Sequence, residues 1–380
     1  MMTAVSFEYE DSLALLNKSA PLREKLRYVH ASVQQKYDFI TRIAVAIYDP
    51  VSGQLRTYVD SMDEENPLSN YQAELKNVPS LLEILKKGRP RVVNDLEVFR
   101  EGGQAHTQRI AKQGYSASYT LPMYHNDIFF GFVFFNSDTP NVFLDSTLAQ
   151  IDLFGHVISL LVIHDLSIVR TMTAAVKTTS EIVHQRDAET GGHLQRMSRY
   201  ARLIASVLAD KHQLNDEYIE NIYMFSPMHD IGKVGIPDKI LLKPDTLTKE
   251  EFDVMKTHTI RGRELIDNII ENFGLDGINN VDVLRNIAEY HHEAVNGGGY
   301  PSGIKGDEIP LEARIVAVAD VFDALTSRRP YKQAWSNDQA FATLAKMAGN
   351  QLDHDCVDAL LTRREDVEEI QSRYREDAYG

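Results

Sequence analysis

Imidazoles and carboxylates recur through the second half of this 380-residue chain in a pattern that could hold metal ions. Glu189 and His193 come first, followed by the doublet His229-Asp230, then His258, the doublet His291-His292, and finally Asp320. Both donor types are borderline to hard ligands and suit iron, manganese or zinc. Glu189 and His193 are four apart, a spacing that on a helix places two side chains on one face within reach of a shared ion, although Thr190-Gly191-Gly192 weakens the helix between them. Adjacent helical residues diverge by about 100°. Each doublet can therefore serve two ions, with Asp230 bridging them while His229 caps one. A single histidine is more often a core or surface residue than a ligand. His30, His106, His125, His156, His164, His184, His212 and His354 follow no pattern and are read that way. Joint occurrence, doublets included, supports the metal assignment.

The elements around these residues read as helices. Beyond Arg186 the pattern stays helical almost to the end, broken by Gly/Pro-rich loops near residues 232–245 and 296–310. Thr248 and Glu251 stand three apart as in a capping box and predict a helix over Lys249 to Asn272 that carries His258. The small residues of Ile315-Val316-Ala317-Val318-Ala319 permit close packing just before Asp320. Asn296 to Gly299 places three glycines before Tyr300, so the backbone there can be approached closely.

The first half has a different texture. Leu22, Leu26, Val29 and Val33 predict a helix within residues 10–36. Ile43 to Tyr48 and Gln54 to Val59, joined by a turn-like Asp49-Pro50-Val51-Ser52-Gly53, predict a hairpin; Ser116 to Leu121 and Ile128 to Phe135 predict another around Asn126-Asp127. Ser146 to Arg186 predicts one long helix, with Phe154, Ile158, Leu161, Ile168 and Met172 near a single stripe that a dimeric signalling helix would use. The expected organisation is an α+β domain over 1–165, a connecting helix over 146–186 and an all-α helical bundle over 187–380.

Composition narrows the function classes. A formal charge of -15 argues against a general DNA binder or a membrane-surface binder, because it repels phosphates at long range. An anionic substrate then needs local metals, Lys or Arg. The lone Cys356 excludes an internal disulfide framework and fits a reducing cytoplasm. The segment from Phe154 to Ile163, interrupted by His156, reads as too short and too polar to span a bilayer.

His229-Asp230-Ile231-Gly232-Lys233 resembles the HD signature, and His291-His292-Glu293 followed by Gly297 and Gly299-Tyr300-Pro301 resembles the HD-GYP signature. Arg186-Asp187, Thr190, Gly192-His193, Gly235-Ile236-Pro237-Asp238, Lys243-Pro244 and Asp320 to Thr326 stand around them, so the resemblance covers residues 175–345. It implies a bacterial phosphodiesterase that hydrolyses cyclic di-GMP to linear pGpG, and in some relatives on to GMP. The implied metal ligands are His193, His229, Asp230, His258, His291, His292 and Asp320. Glu189 implies a third ion, with iron the first choice of metal and manganese the second. Asp230 and Lys233 are the implied catalytic residues, Lys233 contacting substrate phosphate. Tyr300 would lie near guanine, and Arg329 with Lys332 would hold the substrate. The order of elements over residues 20–165 resembles a GAF domain, which implies a small-ligand pocket or a dimerisation surface. A homodimer through that domain and the connecting helix, and a diguanylate cyclase contact through the Tyr300 loop, are the expected partners. Three alternatives stay open: specificity for mixed cyclic GMP-AMP, a weakly active binding or docking module, and another HD-type nucleotide phosphohydrolase.

Overall fold

Six strands form one antiparallel sheet in the N-terminal part of the chain. They are β1 (Arg42–Asp49), β2 (Gln54–Asp60), β3 (Gln72–Glu74), β4 (Arg91–Val93), β5 (Ala117–His125) and β6 (Ile128–Ser137), in the order β3-β2-β1-β6-β5-β4. The protein is seen here as a computed structural model that describes residues 11–18, 20–62, 72–96, 114–184, 191–273, 281–327 and 334–374. Both expected hairpins form. Asn126 and Asp127 take φ values of 49° and 62°, the left-handed pair that a two-residue hairpin turn requires. The edge strands β3 and β4 were not expected. At three residues each they are too short to show an alternating pattern.

Helix α1 (Leu22–Gln34) buries Leu22, Leu26, Val29 and Val33 along one stripe. Helix α2 (Pro79–Lys87) packs Leu81 and Ile84 with Ala46, Leu55 and Phe132 of the sheet. The long helix α3 (Asp145–His184) buries Ile151, Ile158, Val162 and Leu166. Gly155 allows it to lie close to Leu121 and Phe135, since a Cβ there would stand 2.6 Å from Leu121 Cδ2. Of the expected signalling stripe, Ile158 is buried within its own unit and Phe154, Leu161 and Ile168 are half-buried. Leu153 (66% exposed) and Leu160 (63%) lie on the most exposed face, seven residues apart. Met172 lies outside the residues whose side chains are described. The expectation that this stretch is too short for a membrane is corrected, because Asp145–Ile168 is long and apolar enough by length and composition. In the structure it packs on the sheet, with Asp152 accepting a hydrogen bond from Tyr119 Oη.

The chain folds as two compact units, Met1–Ser167 and Ile168–Asp276 with Asn280–Gly380. In the second, helices α4 (Gly191–His212), α5 (Asp216–Phe225), α6 (Asp238–Leu241), α7 (Lys249–Lys256), α8 (His258–Phe273), α9 (Val281–Tyr290), α10 (Leu311–Thr326), α11 (Asn337–Met347), α12 (His354–Leu361) and α13 (Arg364–Arg373) follow one another. No strand occurs among its described residues. Its core brings Met197, Tyr200 and Ile204 of α4 together with Ile315, Val318 and Phe322 of α10, and Ile287 of α9. Tyr200 and Phe322 meet edge to face at 5.2 Å between ring centroids.

Candidate metal centre

His193 stands in the first turn of α4, and Asp320 lies on α10. His229 and Asp230 occupy the bend between two short 3-10 turns, Ser226–Met228 and Ile231–Gly235. His291 and His292 follow the end of α9 directly. The helix expected over Lys249 to Asn272 is broken. Thr248 and Glu251 do form the capping box, but α7 ends at Lys256 and α8 begins at His258. That break turns the His258 ring inward. Its Nδ1 donates to Met255 O at 2.8 Å, leaving Nε2 aimed at Asp230.

Gly232 explains why the turn can lie against α8. A Cβ at this position would meet His258 O at 1.9 Å and Gly262 N at 2.4 Å, both backbone atoms. Only glycine lets the loop bearing Asp230 approach the first turn of α8 so closely.

The expected ligands converge as two groups whose donor atoms lie within 4.8 Å of one another. One contains Asp230, His258, His291 and His292; the other contains His193, His229 and Asp320. Asp230 faces both. Its Oδ1 lies 3.2 Å from His258 Nε2 and 3.7 Å from His291 Nε2, while Oδ2 lies 3.1 Å from His229 Nε2 and 2.7 Å from Lys233 Nζ.

The histidine tautomers follow from their outer contacts. Nδ1 donates to Ser226 O from His229 (3.0 Å), to Met255 O from His258 and to Ile287 O from His291 (2.9 Å). Asp323 Oδ2 accepts from His193 Nδ1 at 2.8 Å. A carbonyl or carboxylate oxygen can only accept, so each Nδ1 carries the proton and each neutral ring turns a lone pair inward. His258 Nε2, His291 Nε2 and Asp230 Oδ1 are buried with no hydrogen bond of good geometry among the described residues. Buried acceptors facing one another are costly, and a cation between them removes the cost. The donor set therefore fits metal ions.

Electrostatics agree with this assignment. Burial acts to raise the Asp230 carboxyl, but the charge of Lys233 outweighs it and holds the group well below the usual carboxylate range. Burial drives both His291 and His292 down. Both rings are thus kept neutral, the form that binds metal.

Tyr300 packs over the open side of the centre, 4.8 Å from the His292 ring and 6.2 Å from Phe252. Glu293, which spacing alone did not single out, anchors this loop. Its carboxylate accepts from Ser302 N at 2.6 Å and from Gly303 N at 3.0 Å. A cleft of about 370 Å³ opens beside His292, with Phe252, Lys256, Asn296, Tyr300 and Gln351 in its wall. Sequence reasoning also gave no role to Asp323 or Arg196, whose partners are 127–131 positions apart. The proximity of Asp323 to Asp320, one helical turn away, was the available signal. Glu189, Arg329 and Lys332 lie outside the described residues.

Residues 177–356 match the family model of the HD domain. The cyclic di-GMP phosphodiesterase response regulator RpfG of Xanthomonas campestris pv. campestris is 47% identical over 188 residues, covering 50% of this chain and 47% of that protein. A cyclic di-GMP phosphodiesterase of Thermotoga maritima is 36% identical over 195 residues, covering 50% and 49%. A 3'3'-cGAMP-specific phosphodiesterase 2 of Vibrio cholerae is 36% identical over 191 residues, covering 50% and 34%. The chain thus spans about half or less of the length of these curated relatives. Among solved structures, a GAF domain/HD domain protein from Geobacter sulfurreducens has a TM-score of 0.31 at 15% identity, covering 38% of this chain and 94% of that one. Residues 177–356 therefore form a helical HD domain.

Proposed function

We propose that the C-terminal unit is a metal-dependent phosphodiesterase that hydrolyses cyclic di-GMP to linear pGpG, under control of an N-terminal GAF-like domain. The observation that carries this is the shared carboxylate. Asp230 turns one oxygen toward each of two histidine groups, and Lys233 stands 2.7 Å from the second oxygen. The names of the relatives supply the substrate class.

Ions held there would acidify an attacking water and neutralise charge at phosphorus. The ligands proposed are Asp230, His258, His291 and His292 for one ion, and His193, His229, Asp230 and Asp320 for the other. A third ion at Glu189 and His193 belongs to the same proposal, with iron preferred and manganese second. Lys233 shares the edge of Asp230 and is placed to act as a fixed positive charge on a non-bridging phosphate oxygen. Tyr300 and Phe252 give apolar faces against which a base can stack. Arg329 and Lys332 would add charge to hold the substrate.

Leu153 and Leu160 on the outer face of α3 support a homodimer through that helix, each being more than 60% exposed. A cytoplasmic setting and a diguanylate cyclase docked on the Tyr300 loop complete the proposal. Turnover of cyclic di-GMP and of mixed cyclic GMP-AMP by one anaerobically metal-loaded sample tests it. Hydrolysis of cyclic di-GMP, abolished in His229→Ala, is expected. Cleavage of the mixed dinucleotide alone would move the substrate to the class named for the Vibrio cholerae relative, and no turnover of either would reduce the domain to a binding module.

A further inference from the structure

His193 is held from behind by a set of contacts that reaches beyond the matched HD domain. Its Nδ1 donates to Asp323 Oδ2 at 2.8 Å. Arg196, one turn along α4, grips the same carboxylate with two parallel hydrogen bonds, Nε to Oδ1 at 2.8 Å and an Nη to Oδ2 at 2.9 Å. Ser327 Oγ donates to Asp323 Oδ2 at 2.8 Å and accepts from Arg196 at 2.7 Å. The remaining Nη of Arg196 donates to Tyr374 O at 3.0 Å. The Tyr374 ring lies under the Arg199 guanidinium, 3.8 Å from its centroid.

Tyr374 caps α13, which follows the family match ending at residue 356. That helix is firmly seated. Val367 is fully buried, and Gln371 exchanges two side-chain hydrogen bonds of 2.9 Å with Asn337 at the start of α11. Asp323 is itself fully buried, so its two oxygens cannot turn to water if a partner is lost. A forked guanidinium fixes the carboxylate plane as well as its position, which a lysine cannot do.

We propose that Arg196 is a positioning residue for the His193–His229–Asp320 group, and that the segment ending at Tyr374 braces it from outside the HD domain. Arg196 is not itself one of the proposed ligands. It sets the Asp323 carboxylate, which sets the tilt of the His193 ring. This rests on the metal-binding part of the function proposed above and not on the substrate.

Equilibrium dialysis of the full-length chain against Mn²⁺ alone, without oxygen, separates the possibilities. Wild type is expected to take up at least two ions. In Arg196→Gln, one class of site should weaken by roughly 10–100-fold, the range for lost outer-shell partners of metal ligands. The class at Asp230, His258, His291 and His292 should keep its affinity. Arg196→Lys should restore part of the loss, and a chain stopped after Arg373 should show a smaller loss of the same class. The lysine variant and the shortened chain decide the question if the glutamine variant fails to fold by circular dichroism. Unchanged affinity of both classes, or an equal fall in both, would overturn the brace. Wild-type protein that binds no Mn²⁺ would overturn the metal assignment itself.

Discussion

Replacing Gly232 by alanine should disable the metal centre without replacing any of its ligands. The added Cβ would stand 1.9 Å from His258 O and 2.4 Å from Gly262 N. An unstrained contact needs about 3.4 Å, so the turn and α8 must separate by roughly 1–1.5 Å; overpacking of this kind costs about 1–3 kcal/mol. Asp230 rides on one side of that contact and His258 on the other, with their facing atoms now 3.2 Å apart. A misplacement of about 1 Å costs on the order of 10²-fold in rate. Gly262 provides the control at the same interface. A Cβ there meets Gly232 N at 3.4 Å and the side chains of Ala288 and Ile231 at 3.5 Å, which are ordinary contacts. Alanine also favours a helix over glycine by roughly 1 kcal/mol, so Gly262→Ala should be neutral or slightly stabilising. Cyclic di-GMP turnover and bound metal per chain, measured on both variants beside wild type, check the pair. Wild-type rate and metal content in Gly232→Ala would refute the reasoning, as would equal damage from the two substitutions.

Lys233→Ala should leave metal content unchanged and lower kcat by roughly 10²–10³-fold, the effect of removing one preorganised charge partner; steady-state kinetics with metal analysis would show it, and loss of metal would assign Lys233 a structural role instead. Glu293→Gln weakens the acceptor for Ser302 N and Gly303 N, so KM for the dinucleotide should rise more than kcat falls. Asp353 caps α12 through Cys356 N at 2.9 Å and pairs with Arg314 at 2.7 Å. Asp353→Ala should therefore cost about 1–2 kcal/mol in denaturant unfolding of the metal-free protein at pH 7. Burial opposes ionisation of Asp353, but the cap and Arg314 outweigh it and its pKa is lowered. Its contribution is thus present above the unfolded-state value near ~3.9 and fades as pH falls through the lower folded value; the gap between variant and wild type should close in that acid window. Chelation should lower the melting temperature of the loaded enzyme, since an ion at about 100 times its Kd stabilises the fold by about 2.7 kcal/mol.

The residue types at the centre and several local devices were legible in the chain itself. The Thr248–Glu251 box, the Asn126-Asp127 turn and the Leu22–Val33 stripe each depend on contacts within one or two turns, which a linear pattern records directly. The break that separates α7 from α8 was not legible, because no proline or glycine marks Thr257 and the inward turn of His258 is rewarded only once Asp230 stands opposite. The sorting of seven donors into two groups sharing Asp230 depends on partners such as Asp230 and His291, 61 positions apart, brought together by packing of α8, α9 and the Gly232 turn. Folding likewise chose which face of α3 meets the sheet, burying Ile158 and leaving Leu153 and Leu160 outward. The outer support of His193 by Asp323 spans 130 positions. Spacing along the chain carries no information about such a contact, since its geometry exists only after α4 and α10 have packed side by side.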